Sequence, residues 1–157
     1  VSKVSDMMQL KVAIKLAFKH DNHIMFEEFI DGTEVSCGVY YNNAVTSLPV
    51  TEIVTDNEFF DYEAKYEGKS NEITPARIDK KIYSKIKNLT EKIYSELNLK
   101  GICRVDYIIK NNLPYIIEIN TVPGLSKESI IPKQLKCMNI SLSEIFKISI
   151  ENATFNE

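Results

Sequence analysis

The chain has little of what several protein classes require. Of its 157 residues only three are cysteine and two are histidine, and 22 acidic residues outnumber 19 basic ones. No apolar run approaches the roughly 20 residues that a membrane-spanning helix needs. No basic patch indicates a nucleic-acid surface, and no secretory pattern is visible. We therefore expect a cytoplasmic protein with neither nucleic acid nor membrane as a partner.

The cysteines and histidines are too scattered to form a recognisable site. Cys37, Cys103 and Cys137 are odd in number and widely spaced, so reduced thiols are expected rather than a disulfide framework. His20 and His23 pair with no cysteine motif. We expect both histidines on the surface and not as metal ligands.

Helical patterns occur in four places. Asp6 begins a helix over about 6–19, and Asp79 begins the longest helix over about 79–98. The apolar stripe of that longest helix (Ile82, Ile86, Leu89, Ile93, Leu97) is assigned to the core. A short helix is expected within 125–134. A capping box at Ser141–Glu144 begins a closing helix to about 151.

Extended patterns fill the middle of the chain. Asp31-Gly32 and Asn42-Asn43 predict turns, and 55–74 has no clean period, which indicates a long irregular loop. No βαβ repeat occurs, so the pattern predicts an α+β fold whose mostly antiparallel sheet is covered by helices on one side. The predicted strands span 24–30, 33–41, 44–54, 104–109 and 115–120.

Polar residues interrupt the last two strands. Alternation places Arg104 on one face with Asp106, and Glu118 on one face with Asn120. A strict two-residue turn at Asn111-Asn112 would not pair Asp106 with Glu118, so we predict a bulge or a three- or five-residue connection that does. Two carboxylates and an amide oxygen suit Mg²⁺. The alternative is a solvated hairpin with an arginine–carboxylate pair of small energetic value.

These motifs resemble the ATP-grasp enzymes, and among them the D-alanine–D-alanine ligases. That family carries Arg-x-Asp on one strand, Glu-x-Asn on the next, then a Pro-Gly loop leading to Ser and Val-Pro. The chain matches with Arg104-Val105-Asp106, Glu118-Ile119-Asn120, Pro123-Gly124, Ser129 and Ile131-Pro132. Phe60–Tyr66 resembles the active-site loop of the same ligases, and the resemblance covers essentially the whole chain.

The resemblance implies a domain organisation. Residues 1–28 would end the central ATP-grasp subdomain, and 29–157 would form the carboxy-terminal catalytic domain. The amino-terminal domain would be absent, and the first residue, Val1, also suggests a fragment or processed form. We expect the chain alone not to complete catalysis. Family members are often dimers, so the complete enzyme is expected to be a homodimer.

The implied activity is ATP-dependent joining of two D-alanines through an acyl phosphate, giving D-alanyl-D-alanine for peptidoglycan. The implied ions are two Mg²⁺, with Mn²⁺ as a substitute. By resemblance Asp106, Glu118 and Asn120 are the metal ligands. Arg104 and the amide of Gly124 stabilise the oxyanion, and Ser129 with the Ile130 amide binds the carboxylate of the second substrate.

The resemblance also implies a nucleotide site. Glu27, Glu28 and Phe29 would hold adenine, and Glu34 would bind the ribose hydroxyls. Lys65 would contact the transferring phosphate, and Tyr66 would lock the loop and favour D-alanine. Read without the resemblance, these glutamates would protect an edge strand from aggregation, Lys65 would be a surface lysine and Gly124 a turn glycine.

Two rival functions fit part of the pattern. One is another ATP-grasp carboxylate–amine ligase, and the other is a nucleotide-binding module without catalysis. Val122, Leu125 and Glu128 depart from common family variants on the substrate side, which leaves the fine substrate preference open.

Overall fold

The structure, a computed structural model, describes residues 1–55 and 70–154. The predicted active-site loop with Lys65 and Tyr66 lies outside the described residues. The chain divides into two compact units, Val1–Asp31 and Gly32–Glu157, and each is described by itself. The assignment of the two parts to ATP-grasp subdomains remains a prediction.

The first unit contains one helix, α1, Met7–Ala17. As predicted, Asp6 caps it: the carboxylate accepts hydrogen bonds from the Met8 and Gln9 amides, both at 2.8 Å. The predicted strand at 24–30 is wrong, because this segment has no regular secondary structure. A strand needs a hydrogen-bonded neighbour, and Val1–Asp31, all of it described, contains no strand that would pair with it.

Asp31-Gly32 is consequently not the turn of a β-hairpin. Gly32 instead lies where the backbone passes close to the segment at Ile108 and Ile109. A Cβ built at Gly32 would collide with the backbone oxygen of Ile109 and with the Ile108 side chain. The glycine is therefore required by a close backbone approach.

The second unit is built on one antiparallel sheet. Its order is β4-β3-β1-β5-β6, and the short strand β2 pairs with the far end of β1. Strand β4 lies inside the segment that was predicted to be an irregular loop. The strand bounds are β1 Thr33–Asn42, β2 Ala44–Ser47, β3 Thr51–Thr55, β4 Ser70–Ile73, β5 Cys103–Lys110 and β6 Leu113–Asn120.

The single strand predicted over 44–54 is two strands, β2 and β3. Pro49 lies between them, and proline has no amide hydrogen for a strand ladder. The Leu48 amide still donates to the Gly38 carbonyl at 2.7 Å. As a result β2 and β3 follow one another along the same side of β1.

In the described part of this unit three helices flank the sheet: α2 Lys80–Glu96, α3 Ile130–Cys137 and α4 Leu142–Thr154. The predicted caps are confirmed. Asp79 accepts from the Lys81 amide at 2.8 Å, and Ser141 and Glu144 bond each other's amides at 2.8 and 3.1 Å. The α+β class with a mostly antiparallel sheet and flanking helices is confirmed.

Helices cover both faces of the sheet, so the prediction of cover on one side is wrong. Helix α2 packs Ile82 and Ile86 on one face, which includes Val35, Cys37, Val105 and Tyr107. On the opposite face α3 and α4 pack Ile131, Leu135 and Ile145 against Tyr40 and Leu48. Strand β1 is accordingly buried continuously from Val35 to Tyr40, whereas a strand with one solvated face would alternate between buried and exposed residues.

The stripe predicted for the longest helix is mostly confirmed. Ile82 and Ile86 are buried, and Leu89 and Ile93 pack against the same cluster. The assignment of Leu97 to the core is wrong, because this residue follows the end of α2 and is 56% exposed. Among the described residues, no helix is both long and apolar enough to cross a membrane.

Candidate active site

A tight turn connects β5 and β6. Asn111 and Asn112 both have positive φ, at 52° and 60°, as a type I′ turn requires. From Lys110 opposite Leu113 to Tyr107 opposite Ile116, the paired residue numbers keep an odd sum. With this register alone, Asp106 would not lie opposite Glu118.

A β-bulge then changes the register. The shift lies between Asp106 and Tyr107, where β6 contributes the extra residue Ile117. Beyond it Asp106 pairs with Glu118, and Arg104 pairs with Asn120. The predicted juxtaposition is confirmed, and it comes from a bulge combined with a two-residue turn. The four polar side chains therefore share one face.

Asp106 is the centre of this cluster and is only 7% exposed. Arg104 binds it bidentately, with Nε on Oδ1 at 2.9 Å and Nη2 on Oδ2 at 2.7 Å. Ser36 Oγ donates to Oδ1 at 2.5 Å, and Asn120 Nδ2 donates to Oδ2 at 2.9 Å. Four donors therefore fill the four acceptor positions of one carboxylate.

Asn120 bridges the two carboxylates. Its Nδ2 also donates to Glu118 Oε1 at 3.0 Å, and the Glu118 side chain is 51% exposed. The described residues include no group of three or more His, Cys, Asp or Glu side chains that would hold a metal. Asp106, Glu118 and Asn120 nevertheless fit a hard cation: rotating the Asn120 amide by 180° presents Oδ1 in place of Nδ2 and frees a position on each carboxylate.

Arg104 supplies the positive charge of the cluster and is largely buried. Burial disfavours its charge, but the hydrogen bonds and charge of Asp106 outweigh burial, so the pKa of Arg104 lies above its ordinary value. Glu118 and Glu72 contribute in the same direction. Arg104 therefore stays charged at any physiological pH.

Helix α3 brings a second cluster to the same face. Gly38, on β1 next to this helix, would place a Cβ 2.6 Å from both Gln134 Oε1 and Ile131 Cδ1, so only glycine permits the contact. Lys133 of α3 pairs with Glu72 of β4 at 2.9 Å and lies 3.9 Å from Glu128. Lys133 therefore lies within ion-pair distance of both Glu72 and Glu128.

The loop before α3 folds tightly. A Cβ at Gly124 would lie 2.9 Å from Ser129 Oγ, so the backbone of Gly124 is next to that hydroxyl. Ser129 is the N-cap residue of α3, and its side chain bonds Ser126 Oγ at 2.8 Å rather than a helix amide. Ile130, the first helical residue, is buried. Gly124, Ser129 and the amino terminus of α3 are therefore brought together. Val122, in the same loop, is almost fully exposed.

The predicted nucleotide residues are divided between the units. Glu34 of β1 is two residues before Ser36, so it is on the sheet face that carries Asp106. Glu27, Glu28 and Phe29 belong to the first unit, where Lys3 Nζ lies 4.3 Å from the centre of the Phe29 ring. This distance is within the range of a cation–π interaction, and Phe29 is 51% exposed.

Sequence reasoning missed two residues of the site, Ser36 and Gln134. Both are fully buried polar side chains that bond across elements. A signal for Ser36 existed: Glu34, Ser36 and Gly38 alternate with apolar residues along a buried strand. Gln134 is a polar residue beside Leu135 and Ile131 on the apolar side of a helix.

Comparison with known proteins gives a consistent result. The family model described as "D-ala D-ala ligase C-terminus" matches residues 1–151. The D-alanine--D-alanine ligase of Flavobacterium johnsoniae is 51% identical over 152 residues, which are 96% of this chain and 47% of that protein. The Porphyromonas gingivalis (strain ATCC BAA-308 / W83) ligase is 44% identical over 146 residues, 92% of this chain and 44% of that protein. The chain thus spans about half the length of these relatives.

Solved structures agree with the family match. The D-alanine--D-alanine ligase of Bacillus anthracis, complexed with ATP, has a TM-score of 0.77 and 28% identity, covering 94% of this chain and 48% of that one. VanG D-Ala:D-Ser ligase from Enterococcus faecalis has a TM-score of 0.77 and 33% identity, covering 93% and 43%. The resemblance drawn from the hairpin is confirmed, and the chain belongs to the family of D-alanine–D-alanine ligase carboxy-terminal domains.

Proposed function

We propose that this chain carries the metal-binding and second-substrate groups of an ATP-dependent ligase that joins two D-alanines through an acyl phosphate. The product, D-alanyl-D-alanine, would serve peptidoglycan synthesis. The observation that supports this most is the cluster of Asp106, Glu118, Asn120 and Arg104 on one sheet face, aligned by the bulge at Ile117. The names of the relatives support the substrate, and the Bacillus anthracis complex supports ATP.

Asp106, Glu118 and Asn120 are the proposed ligands for Mg²⁺, or Mn²⁺ in its place. When bound, the ions would neutralise charge on the phosphate oxygens as the phosphoryl group moves. Asp106 is anchored by Arg104 and Ser36, whereas Glu118 is half exposed and free to adjust between two ions. A fixed ligand and an adjustable ligand together suit a site that must bind ions and phosphate in the same cycle.

Arg104 and Gly124 are the proposed oxyanion donors. The guanidinium is held in the plane of the Asp106 carboxylate by two hydrogen bonds, so its orientation is fixed before substrate arrives. Gly124 is close to Ser129, which with the Ile130 amide would bind the carboxylate of the second amino acid. The amino terminus of α3 favours that negative charge. The attacking amine of the second amino acid would then lie between the oxyanion donors and the groups that bind its carboxylate.

The nucleotide would be held by Glu27, Glu28, Phe29 and Glu34. Glu34 is on the same face as Asp106, so ribose and phosphates would extend along one sheet surface. Lys65 and Tyr66, which lie outside the described residues, are proposed to contact the phosphate and to close the site. A cytoplasmic location and a homodimeric complete enzyme are proposed on the family resemblance.

Calorimetric titration of the chain with ADP, with and without Mg²⁺, tests the site. Binding that requires Mg²⁺ is expected, and Glu118→Gln should weaken it because one carboxylate ligand is lost. Glu96→Gln, an exposed glutamate at the end of α2, is the matched control and should bind as the parent does. Binding that is independent of Mg²⁺, or unchanged in Glu118→Gln, contradicts the assignment.

The second substrate requires a separate assay. The structure of the D-Ala:D-Ser ligase at 33% identity raises D-serine as a second candidate. ADP release by the enzyme that contains this chain should be measured with D-alanine alone, and with D-serine, D-lactate or L-alanine added. D-alanine alone is expected to support full turnover. Turnover that needs D-serine would favour the second candidate.

A further inference from the structure

The Asp106 carboxylate accepts hydrogen bonds from residues on three strands. Arg104 lies on the same strand, two residues away, and Asn120 lies on the neighbouring edge strand β6. The fourth donor, Ser36 Oγ, comes from β1 on the other side and bonds Oδ1 at 2.5 Å. Ser36 is fully buried, so its hydroxyl has no access to bulk water as an alternative partner.

Arg104 alone does not fix the carboxylate in space. A bidentate guanidinium keeps both groups in one plane, but it has a long stem and follows the carboxylate when that rotates. Ser36 has a single χ angle, and its Cβ is attached to the central strand of the sheet. Its hydrogen bond to Oδ1 therefore determines where Oδ2 points.

The backbone around Ser36 is itself held by hydrogen bonds from a helix. Gln134 of α3 donates from Nε2 to the Ser36 carbonyl at 2.9 Å, and its Oε1 accepts from the Gly38 amide at 3.0 Å. Ser36 also lies directly opposite Asp106 in the β1–β5 register. The hydroxyl is thus presented from a backbone that is bonded on both sides.

We propose that Ser36 is a positioning residue for the divalent cation: its hydroxyl holds Asp106 Oδ1 so that Oδ2 faces Glu118 and Asn120. This inference rests on the proposed function, because it takes Asp106 as a metal ligand. Partners that orient a ligand in this way typically change metal affinity by about 10–100-fold when they are removed. Ser36 never contacts the ion.

The test is the affinity of the chain for Mn²⁺, measured by electron paramagnetic resonance of the free ion. Ser36→Ala should raise the Kd by about tenfold or more. Ser36→Thr keeps the hydroxyl and should restore the Kd to within about threefold of the parent value. Asp106→Asn removes the negative charge of the proposed ligand and reports on the site itself.

Thr90→Val is the matched structural control. Thr90 is also a fully buried hydroxyl; it bonds Tyr107 Oη at 2.7 Å, on the opposite face of the strand that carries Asp106. Losing it should lower the resistance of the chain to urea and leave the Mn²⁺ affinity unchanged. An effect of Ser36→Ala that came only through stability would appear in this variant as well.

The outcomes separate the two proposals. If Asp106→Asn weakens Mn²⁺ binding but Ser36→Ala does not, the positioning role is overturned and the metal site stands. The role is also overturned if Ser36→Thr is as weak as Ser36→Ala, or if Thr90→Val weakens binding equally. If the parent chain binds no Mn²⁺, or Asp106→Asn binds as the parent does, the metal assignment fails and the positioning role fails with it.

Discussion

Replacing Gln134 by leucine should destabilise the fold far more than an ordinary change in a short helix. The β1 strand pairs with β3 up to Ser36 and with β2 from Val39, so Gly38 lies between the two paired segments. Gln134 fills this gap with its side chain. Its amide bonds the Gly38 N–H, the Ser36 carbonyl and the Thr51 hydroxyl at 3.0, 2.9 and 3.0 Å.

The cost follows from the groups that lose a partner. Leucine has a similar volume, so the loss is of hydrogen bonds rather than of packing. Thr51 keeps a hydroxyl bond to Thr74 at 2.7 Å and should add little. Two buried backbone groups remain unsatisfied at about 1–3 kcal/mol each, or about 2–6 kcal/mol together. That is a large share of the roughly 5–15 kcal/mol that stabilises a typical domain.

Urea unfolding followed by far-ultraviolet circular dichroism measures this change. At a slope near 2 kcal/mol per molar, the midpoint for Gln134→Leu should fall by about 1–3 M. The control is Lys133→Leu, the neighbouring residue, whose partly exposed pair with Glu72 should be worth less than about 1 kcal/mol. A loss below about 1 kcal/mol in Gln134→Leu would refute the view that the side chain replaces strand pairing.

Three further outcomes are expected. A maleimide should label only Cys137 in the folded chain, because Cys37 and Cys103 are buried. Burial also raises the pKa of both buried thiols, that of Cys37 to about 12. Labelling of Cys37 at the rate of Cys137 would contradict this prediction. Burial raises the pKa of Tyr94 from 10.0 to about 12, so stability that is present below pH 10 is lost as the pH rises towards 12. Tyr94→Phe should therefore reduce the fall of the urea midpoint between pH 10 and pH 12. Asp79→Ala should cost about 0.5–2 kcal/mol in the urea assay, since two amides lose their cap; an unchanged midpoint would count against it.

The sequence predicted the hairpin site well because its information is local. Alternation placed the polar residues in pairs, and the need for Asp106 to meet Glu118 predicted either a bulge or a three- or five-residue connection, of which the structure has the bulge. The bulged residue itself was not predictable. Ile116, Ile117 and Ile119 are all β-branched, and each fits either face of a strand equally well.

The errors concern contacts between distant residues. The run at 24–30 has strand-forming residues, yet a strand exists only with a partner, and pairing is not encoded in the segment itself. Ser36 and Gln134 are 98 residues apart. Their hydrogen bond depends on α3 packing on the face opposite α2, whereas the sequence pattern predicted helices on one face only.

The candidate site forms where the sheet departs from regular pairing, and two departures act on the same carboxylate. The bulge at Ile117 shifts β6 by one residue and brings Glu118 and Asn120 beside Asp106. The gap beside β1 admits Gln134, which fixes Ser36 on the other side of Asp106. A fully regular ladder would supply neither the bridging amide nor the hydrogen bonds from Gln134 that hold the Ser36 backbone. Irregular pairing between β5 and β6 and along the far edge of β1 is therefore what turns an ordinary antiparallel sheet into a surface with a fixed, oxygen-rich cluster.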